Sequence, residues 1–107
     1  MSKIDEARVL LENGDLEKAE KIYRNLIKSG EENIAIFSNL AIICGKTFRY
    51  DEKIKLLKYV ISKDPKNPII YNNLGNAFAI KKCYIQSIKY FRKAIEINPD
   101  FYIFYNN

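Results

Sequence analysis

Apolar residues recur along this chain at three- and four-residue steps, and short polar breaks separate the stretches that carry them, so the pattern predicts helices throughout and no strand. Ile4, Ala7, Leu10 and Leu11 form the first stripe, behind Ser2 and Asp5 in capping-box spacing, which predicts a helix from about Ser2 to Asn13. Gly14 tolerates the positive φ that ends a helix, and Asp15 is placed to offer its carboxylate to the amides of the next one. That helix carries Leu16, Ala19, Tyr23, Leu26 and Ile27 inward and ends near Lys28-Ser29-Gly30. Asn33 can cap a third helix with Ile34, Phe37, Leu40, Ala41 and Cys44 inside, loosened at Gly45-Lys46-Thr47. Tyr50, Ile54, Leu57, Val60 and Ile61 mark the fourth, which Asp64-Pro65 stops because a residue before proline is pushed out of the helical region.

Asn67 then caps a fifth helix with Pro68 at its first position, where a missing N–H costs nothing. This helix runs through Tyr71, Leu74, Gly75 and Phe78 and breaks near Lys81-Lys82. The sixth is predicted to turn Tyr84, Ile88, Phe91, Ala94 and Ile95 inward before Asn98-Pro99 repeats the earlier stop. FYIFYNN follows as an apolar start to another helix.

A shift of 34 residues aligns the chain with itself without a gap. Ala7, Ala41 and Gly75 coincide, as do Leu10, Cys44 and Phe78; Leu16, Tyr50 and Tyr84; Tyr23, Leu57 and Phe91; and Leu26, Val60 and Ala94. Amphipathic helices alone give the 3.6-residue period, not a fixed longer one, so the register marks a helical-repeat array of units 1–33, 34–67 and 68–101 with the start of a fourth. In each unit an A helix and a B helix form an antiparallel pair.

The pattern resembles the tetratricopeptide repeat family. The third unit carries Tyr71, Leu74, Gly75, Phe78, Tyr84, Phe91, Ala94 and Pro99 at that family's signature positions, with Ser87 where the family prefers alanine. The resemblance implies an all-α fold, a right-handed α-solenoid of antiparallel helix-turn-helix repeats, and residues 1–107 read as a single domain of a longer array. Three departures stand out. Lys53 takes the small-residue position filled by Ala19 and Ser87, so its stem must snorkel out or the second unit must open. Phe48 and Lys82 replace Gly14 at the turn, where a β-carbon disfavours the left-handed conformation, so those turns are expected to differ from the first. Lys3 replaces the aromatic of Phe37, Tyr71 and Tyr105, which suits an end unit.

The resemblance further implies a module for protein–protein interaction whose A helices line a concave groove for a peptide. Its groove positions are Arg8, Ser38, Asn39, Ile42, Lys46, Ile69, Asn72, Asn73, Asn76 and Ile80, accompanied by Ile4, Asp5, Leu11, Glu12, Ala35 and Ala79. Asn39, Asn73 and Asn107 fall at one position, similar to the asparagine ladder of the O-linked N-acetylglucosamine transferase repeat domain, and an amide suits a peptide backbone because it both donates and accepts. The alternative is a polar residue bonded to water. Members that hold a carboxylate-terminated chaperone tail use a lysine, arginine and asparagine pattern that only Asn39 matches here.

Charge and composition narrow the rest. Residues 1–33 carry six Lys/Arg against eight Asp/Glu, 34–67 seven against three, and 68–107 five against two. A basic remainder could attract an acidic peptide or a phosphate backbone, although the lysines are scattered. Nucleic-acid binding is therefore carried as an alternative to peptide binding, as is a targeting or scaffold domain of a larger enzyme such as a glycosyltransferase. The chain has no histidine, and its carboxylates, Glu17, Glu20, Asp51 and Glu52 among them, are predicted on outer faces, so no catalytic centre, cofactor, metal site or small-molecule substrate is expected. Cys44 and Cys83 lack metal or disulfide spacing and read as small core residues in a reducing, cytoplasmic setting. No secretory leader or membrane insertion is expected. Phe101, Tyr102, Phe104 and Tyr105 read as a stacking interface for a further unit, or for another copy by self-association, with the further unit favoured.

Overall fold

The computed structural model describes residues 1–100, and over them the chain forms six helices and no strand. These are α1 (Lys3–Glu12), α2 (Leu16–Lys28), α3 (Ile34–Lys46), α4 (Tyr50–Lys63), α5 (Pro68–Ile80) and α6 (Tyr84–Ile97). Their bounds follow the predicted breaks. Asn33 accepts a hydrogen bond from the Ala35 amide at 2.9 Å and Asn67 one from the Ile69 amide at 3.0 Å, so both asparagines cap the helices they precede. Ser2 Oγ accepts from the Asp5 amide at 3.1 Å and donates to Asp5 Oδ2 at 2.8 Å. Asp15, in contrast, makes no side-chain cap. Its ψ of 66° lies outside the extended region that caps use, because its own amide is bonded back to the Leu10 carbonyl at 2.8 Å.

The turns correct a second expectation. Phe48 and Lys82 both adopt φ of 63°, the left-handed conformation of Gly14 at 85°. The same pair of bonds closes each helix: Gly14 to Leu11 and Asp15 to Leu10, Phe48 to Gly45 and Arg49 to Cys44, Lys82 to Ala79 and Cys83 to Phe78. This Schellman pattern satisfies carbonyls that would otherwise be orphaned at the helix end, and it holds the geometry even where the residue is not glycine. The three turns are alike, and the later two carry a β-carbon in a costly region.

The chain divides into two compact units, Met1–Leu56 and Leu57–Asn107, with the division inside α4. In the first, α1 pairs with α2 and α2 with α3 around Ala7, Ala19, Tyr23, Ile36, Leu40, Ile43 and Cys44, all buried. The alanines keep the helix surfaces short where they meet. A carboxylate–guanidinium network ties α2 to the start of α4. Arg49 grips Glu20 with two bonds of 2.6 and 2.7 Å, Arg24 Nε donates to Glu20 at 2.8 Å, and Arg24 Nη1 reaches Glu52 at 2.7 Å. Glu20 and Glu52 are thus half-buried partners, not the outer-face carboxylates expected. The Arg49 bonds hold the Glu20 carboxyl down at about 2, with Arg24 adding to the effect against the opposing cost of burial.

Lys53 resolves the first departure without opening the unit. Its side chain lies over Gly45, where a β-carbon would meet Nζ at 2.7 Å and Cδ at 3.2 Å. The missing side chain on α3 makes the room that the long one on α4 needs, and burial lowers the lysine pKa. Cys44 is buried and its thiol is pushed up to about 11 by burial, whereas Cys83 is only half-buried at the third turn; both are free.

In the second unit α5 packs on α6, and Leu57, Val60, Ile70, Tyr71, Leu74, Ala77 and Ala94 are buried. The Tyr90 ring stacks on Tyr71 at 6.3 Å and on Phe78 at 5.4 Å, and Tyr71 Oη donates to the Pro65 carbonyl at 2.9 Å. Gly75 is required by close approach, since a β-carbon there would fall 2.6 Å from the Phe91 ring. Ser87 is buried and donates to the Gly75 carbonyl at 2.8 Å, which uses the hydroxyl that an alanine would lack. Tyr84, Ile88 and Ile95, predicted inward, are instead 59%, 50% and 41% exposed. The periodicity located the apolar stripe of α6 correctly, but α6 meets α5 through the neighbouring edge that carries Ser87, Tyr90, Phe91 and Ala94.

Candidate peptide-binding face

The A helices of the three units, α1, α3 and α5, each present one face at the same register. On α3 the face runs Ala35, Asn39, Ile42, Lys46, a spacing of four, three and four residues that holds one side of a helix. Asn39 is half-buried and the other three are exposed. The corresponding face of α5 is Ile69, Asn73, Asn76 and Ile80, again with only the asparagine at the second position half-buried. On α1 the same positions hold Asp5, half-buried, then Arg8 and Glu12, exposed. Ser38 is half-buried beside the α3 face.

The three faces differ in chemistry. Arg8 sits between Asp5 at 3.5 Å and Glu12 at 3.7 Å, so α1 offers a charge-balanced surface. The α3 face mixes an amide, an isoleucine and a lysine, and the α5 face is two amides between two isoleucines. Asn72 is not on this exposed surface: it is 3% exposed. Asn39 has a commitment that the sequence reading missed. Its Nδ2 donates to the hydroxyl of Tyr23 at 3.0 Å, and Tyr23 is wholly buried, which raises its pKa. The signal was present in the register, because Tyr23 is the only hydroxyl at a position that Leu57 and Phe91 fill elsewhere. Asn107, Phe101, Tyr102, Phe104 and Tyr105 lie outside the described residues. Among the described residues no group of His, Cys, Asp and Glu could hold a metal ion, and no helix is long and apolar enough to cross a membrane.

The sequence model of the tetratricopeptide repeat family matches residues 68–101, the third unit in full. The chain carries a tetratricopeptide repeat. The tetratricopeptide fold reaches well beyond that unit. A MamA chain from Desulfovibrio magneticus RS-1 superposes with a TM-score of 0.85 at 18% identity over 92% of this chain and 55% of its own. MamA from AMB-1 gives 0.85 at 17% identity over 92% and 54%. A point mutant of the Thermobaculum terrenum O-GlcNAc transferase gives 0.80 at 21% identity over 94% of this chain and 19% of that one. No curated protein sequence matches. The chain thus spans about half the length of the MamA chains and about a fifth of the transferase, and the likeness is one of fold. That fold is all-α, of the helical-solenoid class, and is typically used for protein–protein interaction.

Proposed function

We propose that the chain is a non-catalytic tetratricopeptide module that binds a peptide segment of a partner protein through the A-helix faces of either unit, with Arg8, Ser38, Asn39, Ile42 and Lys46 on α1 and α3 in the first and Ile69, Asn73, Asn76 and Ile80 on α5 in the second. The observation that carries this reading is the exposure pattern of α3 and α5, in which Ala35, Ile42 and Lys46 and, at the same register, Ile69, Asn76 and Ile80 are open to solvent while every other residue of those two helices is buried or half-buried. A repeat selected only for packing would leave no reason for isoleucines and amides to line such a face. The amides suit a peptide main chain and the isoleucines suit its apolar side chains. Two free cysteines, one of them in the core, fit a reducing, cytoplasmic setting.

Asn73 and Asn76 give the cleanest test. Neither has a hydrogen bond to a buried group among the described residues, unlike Asn39, so their truncation alters the face and spares the core. A peptide array is screened with the parent, and its hits are titrated against the double variant Asn73→Ala/Asn76→Ala. A loss of about tenfold or more across the hits is expected. Hits that bind the double variant as tightly as the parent would sink the proposal.

A further inference from the structure

The net charge of the chain is not shared between its two compact units. Residues 1–56 carry ten Lys/Arg against ten Asp/Glu and residues 57–100 eight against three, so the second unit holds the whole surplus of five. The two also hold their cations differently. In the first, all three arginines are spent on carboxylates: Arg8 between Asp5 and Glu12, and Arg24 and Arg49 on Glu20 and Glu52. In the second, Lys58 Nζ lies 5.7 Å from the centre of the Phe78 ring, Lys63 Nζ 5.7 Å from that of Tyr59 and Lys89 Nζ 5.8 Å from that of Tyr90. A ring holds an ammonium in place without cancelling its charge. The Phe78 and Tyr90 rings are themselves stacked at 5.4 Å, so Lys58 of α4 and Lys89 of α6 are fixed on one aromatic pair.

Beside Lys89 the surface opens into a hollow of 520 Å³ lined by Tyr71, Lys89, Tyr90, Arg92, Lys93 and Glu96. Three cations face one carboxylate there, with Glu96 3.8 Å from Lys93. Tyr90 is already committed to Tyr71, Phe78 and Lys89, so the hollow offers charge and no free ring for a base to lie on. This outer side of the B helices stays open where another helix pair follows: at the matching positions Lys21, Asn25 and Lys28 of α2 and Lys55, Lys58 and Ser62 of α4 are exposed.

We propose that the second unit binds the phosphate backbone of a nucleic-acid strand, without reading its bases, through Lys58, Lys89, Arg92 and Lys93. The kind of cation selects phosphate over carboxylate. This chain grips a carboxylate with a planar arginine fork, Arg49 on Glu20 by bonds of 2.6 and 2.7 Å, whereas seven of the eight cations of the second unit are lysines, point charges that meet phosphate oxygens without a fixed fork. A repeated anion suits their distribution. A lone phosphate would engage the hollow and leave Lys58 unanswered, while a strand reaches cations on α4 and α6 together. None of the A-helix residues assigned to peptide binding takes part.

The test titrates the whole chain into a fluorescein-labelled thymidine oligonucleotide of about 20 residues and follows anisotropy from about 50 to 200 mM salt. Affinity should fall about tenfold or more over that range, each engaged phosphate of a single strand adding about 0.7 to the slope of log affinity against log salt. Lys58→Gln/Lys89→Gln, at two exposed sites, should make that slope shallower by about 1.4. Lys18→Gln/Lys28→Gln removes the same charge from exposed sites of the first unit and should leave affinity within about twofold of the parent. Unlabelled polyglutamate of equal charge should compete at least about tenfold less well than the unlabelled oligonucleotide. No binding at the lower salt, or an equal loss in the two double variants, overturns the proposal. So does polyglutamate that competes as well as the oligonucleotide, since the occupant would then be an acidic peptide.

Discussion

Lys53 and Gly45 are one packing unit: the lysine side chain fills the space that a β-carbon on the glycine would take, 2.7 Å from Nζ. The 34-residue register treats position 53 as a site for a small residue, and α3 answers the exception by giving up its own side chain. The pair should therefore be coupled. Gly45→Ala gains helix propensity of about 1 kcal/mol but must displace the lysine, and Lys53→Ala leaves the glycine backbone uncovered. Their combination restores a short-on-short contact and should be more stable than the sum of the single changes by about 0.5–2 kcal/mol. Denaturant unfolding of the four proteins measures it, and additive effects would refute the coupling.

The left-handed turn residues predict a gain from glycine. Phe48 is 78% exposed, so it forfeits little packing, yet it sits at φ of 63° as Lys82 does. Phe48→Gly and Lys82→Gly should each stabilise by about 0.5–1 kcal/mol, the relief of strain exceeding the added freedom of the unfolded chain. Gly14→Ala should move the other way by about 1 kcal/mol or more. Thermal melts read all three.

Acid should strike the first unit through Glu20. Its folded pKa of about 2 lies below the ordinary 4.5, so between those values the unfolded chain binds more protons and stability rises with pH. The contribution is complete above about pH 4.5 and fades as pH falls toward 2. Glu20→Gln should cost about 1–3 kcal/mol at neutral pH and flatten the melting temperature between pH 5 and 2. An unchanged acid profile in the variant would assign the loss elsewhere.

Tyr23 and Asn39 should prove unlike Asn73 in mutagenesis. Tyr23→Phe removes the acceptor for the Asn39 amide from a wholly buried site and should cost about 1 kcal/mol. Asn39→Ala should cost a similar amount by stranding the hydroxyl, whereas Asn73→Ala should leave unfolding free energy nearly unchanged. Equal destabilisation by the two asparagine changes would contradict the assigned bond.

The helices, their caps at Asn33 and Asn67 and their stop at Asp64-Pro65 were legible because local chemistry decides them: spacing, a short polar side chain, a ring on nitrogen. The register also put Arg8, Ile42, Lys46, Ile69, Asn76 and Ile80 at positions that are exposed, but it counted Asn72, which is buried, among them. What escaped was non-local. Arg49 and Glu20 are 29 residues apart, and no helical period brings them together. The turns at Phe48 and Lys82 were misjudged because intrinsic preference disfavours them, while two hydrogen bonds per turn override it. The exposed stripe of α6 was misread because amphipathicity shows that a face is apolar, not that something covers it.

The two thiols make the chain its own reporter. Cys83, half-buried at the mouth of the third turn, is within reach of a thiol reagent, while Cys44 is sealed in the first unit and holds its proton at neutral pH. A labelling experiment on the unmodified protein should therefore show two clocks, a fast one and one that ticks only when the first unit opens. Replacing Cys83 by serine would leave the slow clock alone, so the opening of one part of the repeat can be timed in native buffer without adding a probe.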